Sequence, residues 1–288
     1  MDRRQVLTAA VGGVLAGCTA PNSPRADRAT PAASSTPGTP AAPSTPAVSV
    51  APSPLDRAQV VARYAGVTPS SWGMDVPGAL GQLQPGRGQI ALTFDACGGP
   101  GGDGYDQALI DFLHDHAVPA TLFLNSRWID ANPETFRRLA AQPLFEIGNH
   151  GTRHRPLSVT GRSAYGIQGT RDAGEVFDEV AGNHSRLTEL LGTPPRFFRS
   201  GTAHYDDVAA RIVAELGERV VGFTVNGDAG ATYPTAQVES EVATAPPGAI
   251  VLAHMNQPAG HTAAGIAAAV PRLLAAGHTF TRLGDALR

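Results

Sequence analysis

The sequence predicts a parallel α/β fold. Between about residue 88 and the end of the 288-residue chain, short and almost wholly apolar runs of strand length alternate with segments of helical period. Strands buried on both faces read in this continuous way, and six or seven strand–helix units in about 200 residues point to a parallel sheet. Polar residues recur just past the C-terminal ends of the strand-like runs, where such folds build their sites. Periodicity alone does not separate a barrel from an open sheet.

The elements follow in order. Leu55 to Ala65 suits a short helix, and Gly66 to Gln89 reads as irregular structure. Ile90-Ala91-Leu92-Thr93-Phe94 is the first strand. The glycine-rich loop Gly98 to Gly102 separates it from a helix carrying Ala108, Leu109, Phe112 and Leu113. Strand Ala120 to Leu124, a helix marked by Phe136, Leu139 and Ala140, and strand Phe145 to Gly148 come next. Asp172 to Leu191 is the clearest helix, with Val176, Phe177, Val180, Leu187, Leu190 and Leu191 at helical spacing. A strand at Arg196 to Arg199 and a helix through Val208, Ile212, Val213 and Leu216 follow. Val220 to Val225 and Ala249 to Ala253 read as two more buried strands. Ile266, Val270, Leu273 and Leu274 mark a closing helix capped by Gly277, and His278 to Phe280 a last strand.

The preceding residues have a different composition. Arg3 and Arg4 lead an apolar run from Val6 to Gly17, too short for a permanent membrane helix. Leu15-Ala16-Gly17-Cys18 resembles a bacterial lipobox, so residues 1–18 read as a signal segment with Cys18 as the lipidated residue; an ordinary cleaved signal is the alternative. Residues 19–54 are nearly all Pro, Ala, Ser and Thr, which cannot bury enough apolar area to offset their ordering entropy. They are expected to form a disordered linker, followed by an N-terminal extension at 55–87 and the main folded domain at 88–288. The expected location is outside the cytoplasm, lipid-anchored to a bacterial membrane and facing the cell wall. With Cys18 carrying lipid, Cys97 has no intramolecular disulfide partner.

The formal net charge of −3 comes without a long run of either sign, which argues against a nucleic-acid partner; a neutral glycan fits better. No G-x-G-x-x-G turn or Walker A loop follows the first strand, which removes the best sign of a nucleotide site. No protein partner is expected.

The chemistry-bearing candidates are Asp95, His150, His154, Arg199, Asp228 and His254. His150 and His154 form H-x-x-x-H, which on one helical turn puts both imidazoles on one side as ligands for zinc or a similar ion. Gly148 and Gly151 leave a loop as the other way of presenting them, and polar surface histidines as the plainer reading. Asp95 is a ligand, a general base or the cap of the next turn. His254 is a general acid or a strand-end histidine bonded to backbone. Arg199 and Asp228 are partners that position base and acid, or structural ion-pair residues.

Together these segments resemble the polysaccharide deacetylase family, also called carbohydrate esterase family 4 or the NodB homology domain. Thr93-Phe94-Asp95-Ala96 is similar to its first motif, T-F-D-D, and His150-Gly151-Thr152-Arg153-His154 to its second, H-[ST]-x-x-H. Phe198-Arg199-Ser200-Gly201-Thr202 loosely resembles the third, Asn226-Gly227-Asp228 occupies the fourth region, and Leu252-Ala253-His254 matches the fifth, L-x-H. The resemblance implies a distorted, incomplete (β/α) barrel of about seven parallel strands and a divalent metal ion, zinc, as cofactor. It implies metal ligands His150 and His154, aided by Asp95, with Asp95 as catalytic base and His254 as general acid. Arg199 would orient Asp95, and Asp228 would support His254. The implied reaction removes N-acetyl groups from an extracytoplasmic acetylated polysaccharide such as peptidoglycan, with a backbone N–H near Thr202 facing the oxyanion. O-deacetylation of a polysaccharide and a catalytically weak carbohydrate-binding domain are the alternatives.

Ala96 stands where the family supplies an aspartate ligand, and a methyl group cannot coordinate. Asp95 itself, Asp103 or waters are then expected to complete the shell; Cys97 is nearby and thiolate is a good zinc ligand, but it is expected to be a buried spectator. Trp128 is expected to serve in packing.

Overall fold

The computed structural model describes residues 55–84 and 88–287; the signal segment, the lipobox cysteine and the linker to residue 54 lie outside the described residues. The elements in chain order are α1 (Arg57–Tyr64), β1 (Trp72–Gly73), β2 (Gln89–Ala96), α2 (Gln107–Asp115), β3 (Ala120–Leu124), α3 (Ser126–Ala131), α4 (Pro133–Ala140), β4 (Phe145–Asn149) and α5 (Ala173–Leu191). They continue with β5 (Phe197–Phe198), β6 (Tyr205–Asp206), α6 (Asp207–Glu215), β7 (Arg219–Val220), β8 (Val225–Asn226), α7 (Thr235–Ala243), β9 (Ile250–His254), α8 (Thr262–Ala275), β10 (Thr279–Phe280) and α9 (Leu283–Ala286). Among the described residues no helix is long and apolar enough to cross a membrane.

Seven parallel strands in the order β7-β5-β4-β3-β2-β9-β8 curl into a half-barrel, with β10 pairing beside β2. The strand period decides what faces where. On β2, Ile90, Leu92, Phe94 and Ala96 pack outward with Leu109 and Leu113 of α2 and Ile266 and Val270 of α8. Ala91 faces inward, sharing a second cluster with Phe123, Phe197, Val221 and Ile250. A third cluster joins α1, α5 and α6 through Val60, Val176, Val180, Val208 and Ile212.

The run Val220 to Val225, expected as one strand, is two. Val220 pairs with Phe198 at one edge of the sheet, whereas Val225 pairs with Val251 at the other. The segment between them spans the opening of the half-barrel, so it cannot remain one strand in the same ladder. The N-terminal extension plugs that opening. Leu80 N–H donates to the Val220 carbonyl at 2.9 Å, Gly222 N–H donates to the Leu80 carbonyl at 2.9 Å, and Gln82 bridges Ala249.

The strongest helix prediction agrees with α5, whose Asp172 side chain accepts from Glu175 N–H at the N-cap and whose chain leaves through Gly192 at φ 73°. Four elements have no counterpart in the sequence reading: α3, α7, the β1–β6 ribbon and the four-residue α9. The first is six residues long, the second buries only Val238 and Val242, and ribbon strands of two residues carry no readable period.

Candidate active site

Every strand entering the site brings its polar residue by alternation. On β2 the inward positions run from Ala91 through Thr93 to Asp95, on β9 from Ile250 through Leu252 to His254, and past β5 from Phe197 to Arg199. The interior is therefore apolar at the N-terminal ends of the strands and polar at the C-terminal ends. There it opens into a cleft of about 580 Å³ lined in part by Asp95, Cys97, His154, Tyr165, Thr202 and His254.

Asp95 is buried, and its Oδ1 accepts from Arg199 Nη1 at 2.8 Å. Its Oδ2 lies 3.7 Å from His150 Nε2. Burial opposes the carboxylate, but the charges of Arg199, His150 and His254 outweigh it and hold the Asp95 pKa below the usual range. The Arg199 guanidinium is fully buried. Its Nη2 donates to the Gly222 carbonyl at 3.0 Å, and its face lies 4.3 Å from the centre of the Phe123 ring.

His150 and His154 are presented by a loop, not by a helical turn. Gly151 at φ 77° and His154 at φ 62° break any helix. A side chain at Gly151 would meet Glu179 Oε1 at 2.5 Å. That carboxylate is needed there, because it accepts from the Arg153 and Arg155 backbone N–H groups and fixes the turn. Gly201 is equally constrained: a Cβ there would stand 2.4 Å from the His154 carbonyl carbon. Asn125 donates to the His150 and Gly151 carbonyls, both at 2.9 Å, while the Asn149 side chain accepts from Gly151 N–H. Asn149 in turn donates to Glu218 Oε1 at 2.8 Å, and burial lifts Glu218 to a pKa of about 7.

His150 is fully buried, and its Nδ1 donates to the Arg199 carbonyl at 2.9 Å. That bond commits Nδ1 and turns Nε2 toward the cluster. The His150 and His154 rings meet edge to face with centroids 5.0 Å apart, and His154 Nε2 is buried without a hydrogen-bond partner. Cys97, His150 and His154 offer one sulfur and two nitrogen donors, all within 4.8 Å of one another. An orphaned buried nitrogen beside a sulfur and a second nitrogen fits a divalent metal ion. Burial raises the Cys97 thiol, yet the imidazoles of His150, His154 and His254 around it prevail and hold it well below its ordinary pKa.

On the opposite side, Asp228 is fully buried and accepts from His254 N–H at 2.7 Å, His254 Nδ1 at 2.9 Å, Thr262 Oγ1 at 2.8 Å and Gly230 N–H at 3.2 Å. Burial works against the imidazolium of His254, but the hydrogen bond to Asp228 overcomes it and raises the His254 pKa well above 6.5. The Asp228 carboxylate is held below its usual range: burial raises it, and His254 and Thr262 more than compensate.

All six residues singled out in the sequence thus line or flank one cleft. Asp103 does not join them; it is exposed, and its carboxylate accepts from Gly99 N–H at 2.6 Å to close the glycine loop. Trp128 is buried in the core with Nε1 donating to the Gly104 carbonyl at 2.8 Å. Sequence reasoning missed the site roles of Asn125, Asn149, Glu179 and Thr262. It also set Cys97 aside, although the period of two that places Asp95 inward places Cys97 inward too.

A curled parallel α/β half-barrel with a nitrogen–sulfur donor cluster and a carboxylate–histidine pair across one cleft has the layout of a metal-dependent hydrolase. Residues 82–221 match the family model described as polysaccharide deacetylase, and this part of the chain belongs to that family. A chitooligosaccharide deacetylase of Bradyrhizobium sp. (strain ANU 289) is 29% identical over 154 residues, covering 53% of this chain and 65% of that protein. A CE4 family pseudoenzyme from Bacillus anthracis superposes with a TM-score of 0.62 at 21% identity, over 74% of this chain and 69% of that one. The Bc1960 peptidoglycan N-acetylglucosamine deacetylase does so with a TM-score of 0.61 at 21% identity, over 72% and 92%. At these identities the solved structures share the fold. The chain spans about half the length of the first curated relatives it matches.

Proposed function

We propose that this domain hydrolyses N-acetyl groups on an extracytoplasmic polysaccharide, peptidoglycan or a related aminoglycan. The observation that carries the reading is the placement of two satisfied acid–base units, Arg199–Asp95 and Asp228–His254, around one donor cluster in one cleft. The names of two relatives, a chitooligosaccharide deacetylase and a peptidoglycan N-acetylglucosamine deacetylase, support the substrate class.

His150 and His154 would hold the metal, zinc in this reading, which when bound polarises an acetamide carbonyl and lowers the pKa of a water. Asp95 is kept ionised by Arg199, which occupies Oδ1 and leaves Oδ2 toward the cluster, so Asp95 takes the proton of the attacking water. His254 has Nδ1 committed to Asp228 and lines the cleft, so its other nitrogen donates the proton to the departing sugar amine. Water, acetamide and these two proton transfers give acetate and a free amine. Tyr165, an exposed aromatic on the rim at 76% exposure, stands edge-on to His204 and offers a ring face to a sugar.

Export and lipid attachment at Cys18 complete the proposal and rest on the sequence motif alone. A Cys18→Ser chain should leave the membrane fraction.

The pseudoenzyme among the structural neighbours and Ala96 in the first motif favour a second reading, a glycan-binding domain without turnover. Acetate release from N- and O-acetylated glycans, with divalent ions supplied, separates them. Asp95→Asn and His254→Ala are each expected to lower kcat by about 10²–10⁴-fold. Wild-type protein that binds the glycans yet releases no acetate establishes the second reading instead. Release confined to O-acetylated glycans would assign the domain as an esterase.

A further inference from the structure

Ala96 is not merely a ligand position left blank. It lies on the outward face of β2, in the apolar cluster with Leu92 and Phe94, so its side chain is directed to the helix layer and away from the cleft. The next inward position after Asp95 is Cys97, which lines the cleft and puts Sγ 3.8 Å from His150 Nε2. Both carboxylates near it are engaged: Asp95 Oδ1 by Arg199, and Asp103 by the glycine loop, on an exposed turn. His150 directs its Nε2 at the same space, because Nδ1 donates to the Arg199 carbonyl. His154 Nε2 is buried there with no hydrogen-bond partner, an unfavourable arrangement that a bound cation would relieve.

We infer that the Cys97 thiolate is the third protein ligand, making this a Cys-His-His centre that selects a thiophilic divalent ion of the zinc type over magnesium or manganese. The inference rests on the metal-dependent reading above. Its chemistry is ligand softness: carboxylate and water suit magnesium and manganese, whereas thiolate with two imidazoles suits zinc and its analogues. Three protein ligands also leave a fourth position open toward the cleft, as a catalytic site requires. The register of one strand thus replaces a hard oxygen ligand by a soft sulfur one residue further along the chain.

The test uses the full chain stripped of metal and titrated with cobalt(II), whose thiolate complexes show a near-ultraviolet charge-transfer band. Wild-type protein should develop that band, and Cys97→Ser should bind cobalt without it. Zinc affinity of Cys97→Ser should fall by at least about tenfold, since even the outer partners of a ligand are worth that much. A large excess of magnesium should not displace cobalt from the wild type. An independent measurement needs no variant: alkylation of Cys97 by iodoacetamide, read by peptide mass spectrometry, should be suppressed when zinc is bound. Cobalt binding without the band, with alkylation unchanged by zinc, overturns the sulfur ligand. The hydrolase reading survives that result if the same preparation still releases acetate. Failure of the wild type to bind either cobalt or zinc overturns both.

Discussion

The two sides of the cleft use the same kinds of residue to opposite ends. On the acid side, Asp228 collects four donors from the protein itself, and His254 has its Nδ1 bonded and its backbone N–H bonded to the same carboxylate. On the donor-cluster side, Asn125 and Asn149 brace the loop behind the cleft, yet His154 Nε2 is left bare beside His150 Nε2 and Cys97 Sγ. A protein can complete a proton-transfer pair with its own hydrogen bonds. Across the cleft the Cys97–His150 pair can share one proton at 3.8 Å, but His154 Nε2 finds no partner in the protein, and a cation from outside would engage all three. The Asp228–His254 side is therefore completed by folding alone, whereas the donor cluster keeps one bare nitrogen.

Three changes probe that contrast. Asp228→Asn should reduce kcat by roughly 10²–10⁴-fold, because the amide cannot hold the imidazolium of His254, while metal affinity should stay within a factor of about 3. Parallel kinetics and cobalt titration measure both, and a large loss of metal binding would show that the two sides are not separable. Next in size is Glu218, which stands behind the donor side on Asn149. Its pKa is raised from 4.5 to about 7 by burial, so the folded state holds a proton that the unfolded chain has released. Its contribution is fully present below about pH 4.5 and lost as pH rises through 7, an effect of about 3 kcal/mol at 1.36 kcal/mol per unit. Urea titrations at pH 4.5 and 8 should show that fall in wild type and a flatter profile in Glu218→Gln; equal slopes would mean that Glu218 ionises normally in the fold. Smallest is the gain from metal. Zinc at a hundredfold excess over its Kd should stabilise the wild type by about 2.7 kcal/mol. His154→Ala should lose nearly all of that gain and none of the stability of the metal-free protein, as followed by thermal unfolding.

The fold was readable wherever a period ran long enough. The helix at 173–191 repeats an apolar face at helical spacing, and β2, β3 and β9 are almost wholly apolar runs. Segments of two to six residues, such as β1, β6 and α3, fall below that length. Val220 to Val225 misled because apolarity reports burial and not ladder partner; the run is buried throughout its first half, but it changes edges of the sheet within six residues. The site residues were readable because each follows an apolar run, yet the loop presentation of His150 and His154 was not. It depends on Glu179 and Asn125, which lie 24 or more residues from the backbone groups they hold.

By itself the sequence determined the order of elements, the apolar faces and the six polar residues placed at strand ends, since these follow from local period and composition. Tertiary structure alone decided which donors meet. Strand register turned Ala96 outward and Cys97 inward, and the 151–155 turn, braced by a carboxylate from a distant helix, brought His154 beside His150. Convergence of that kind is a property of packing in three dimensions, where a shift of one residue along a strand exchanges the face that meets the site.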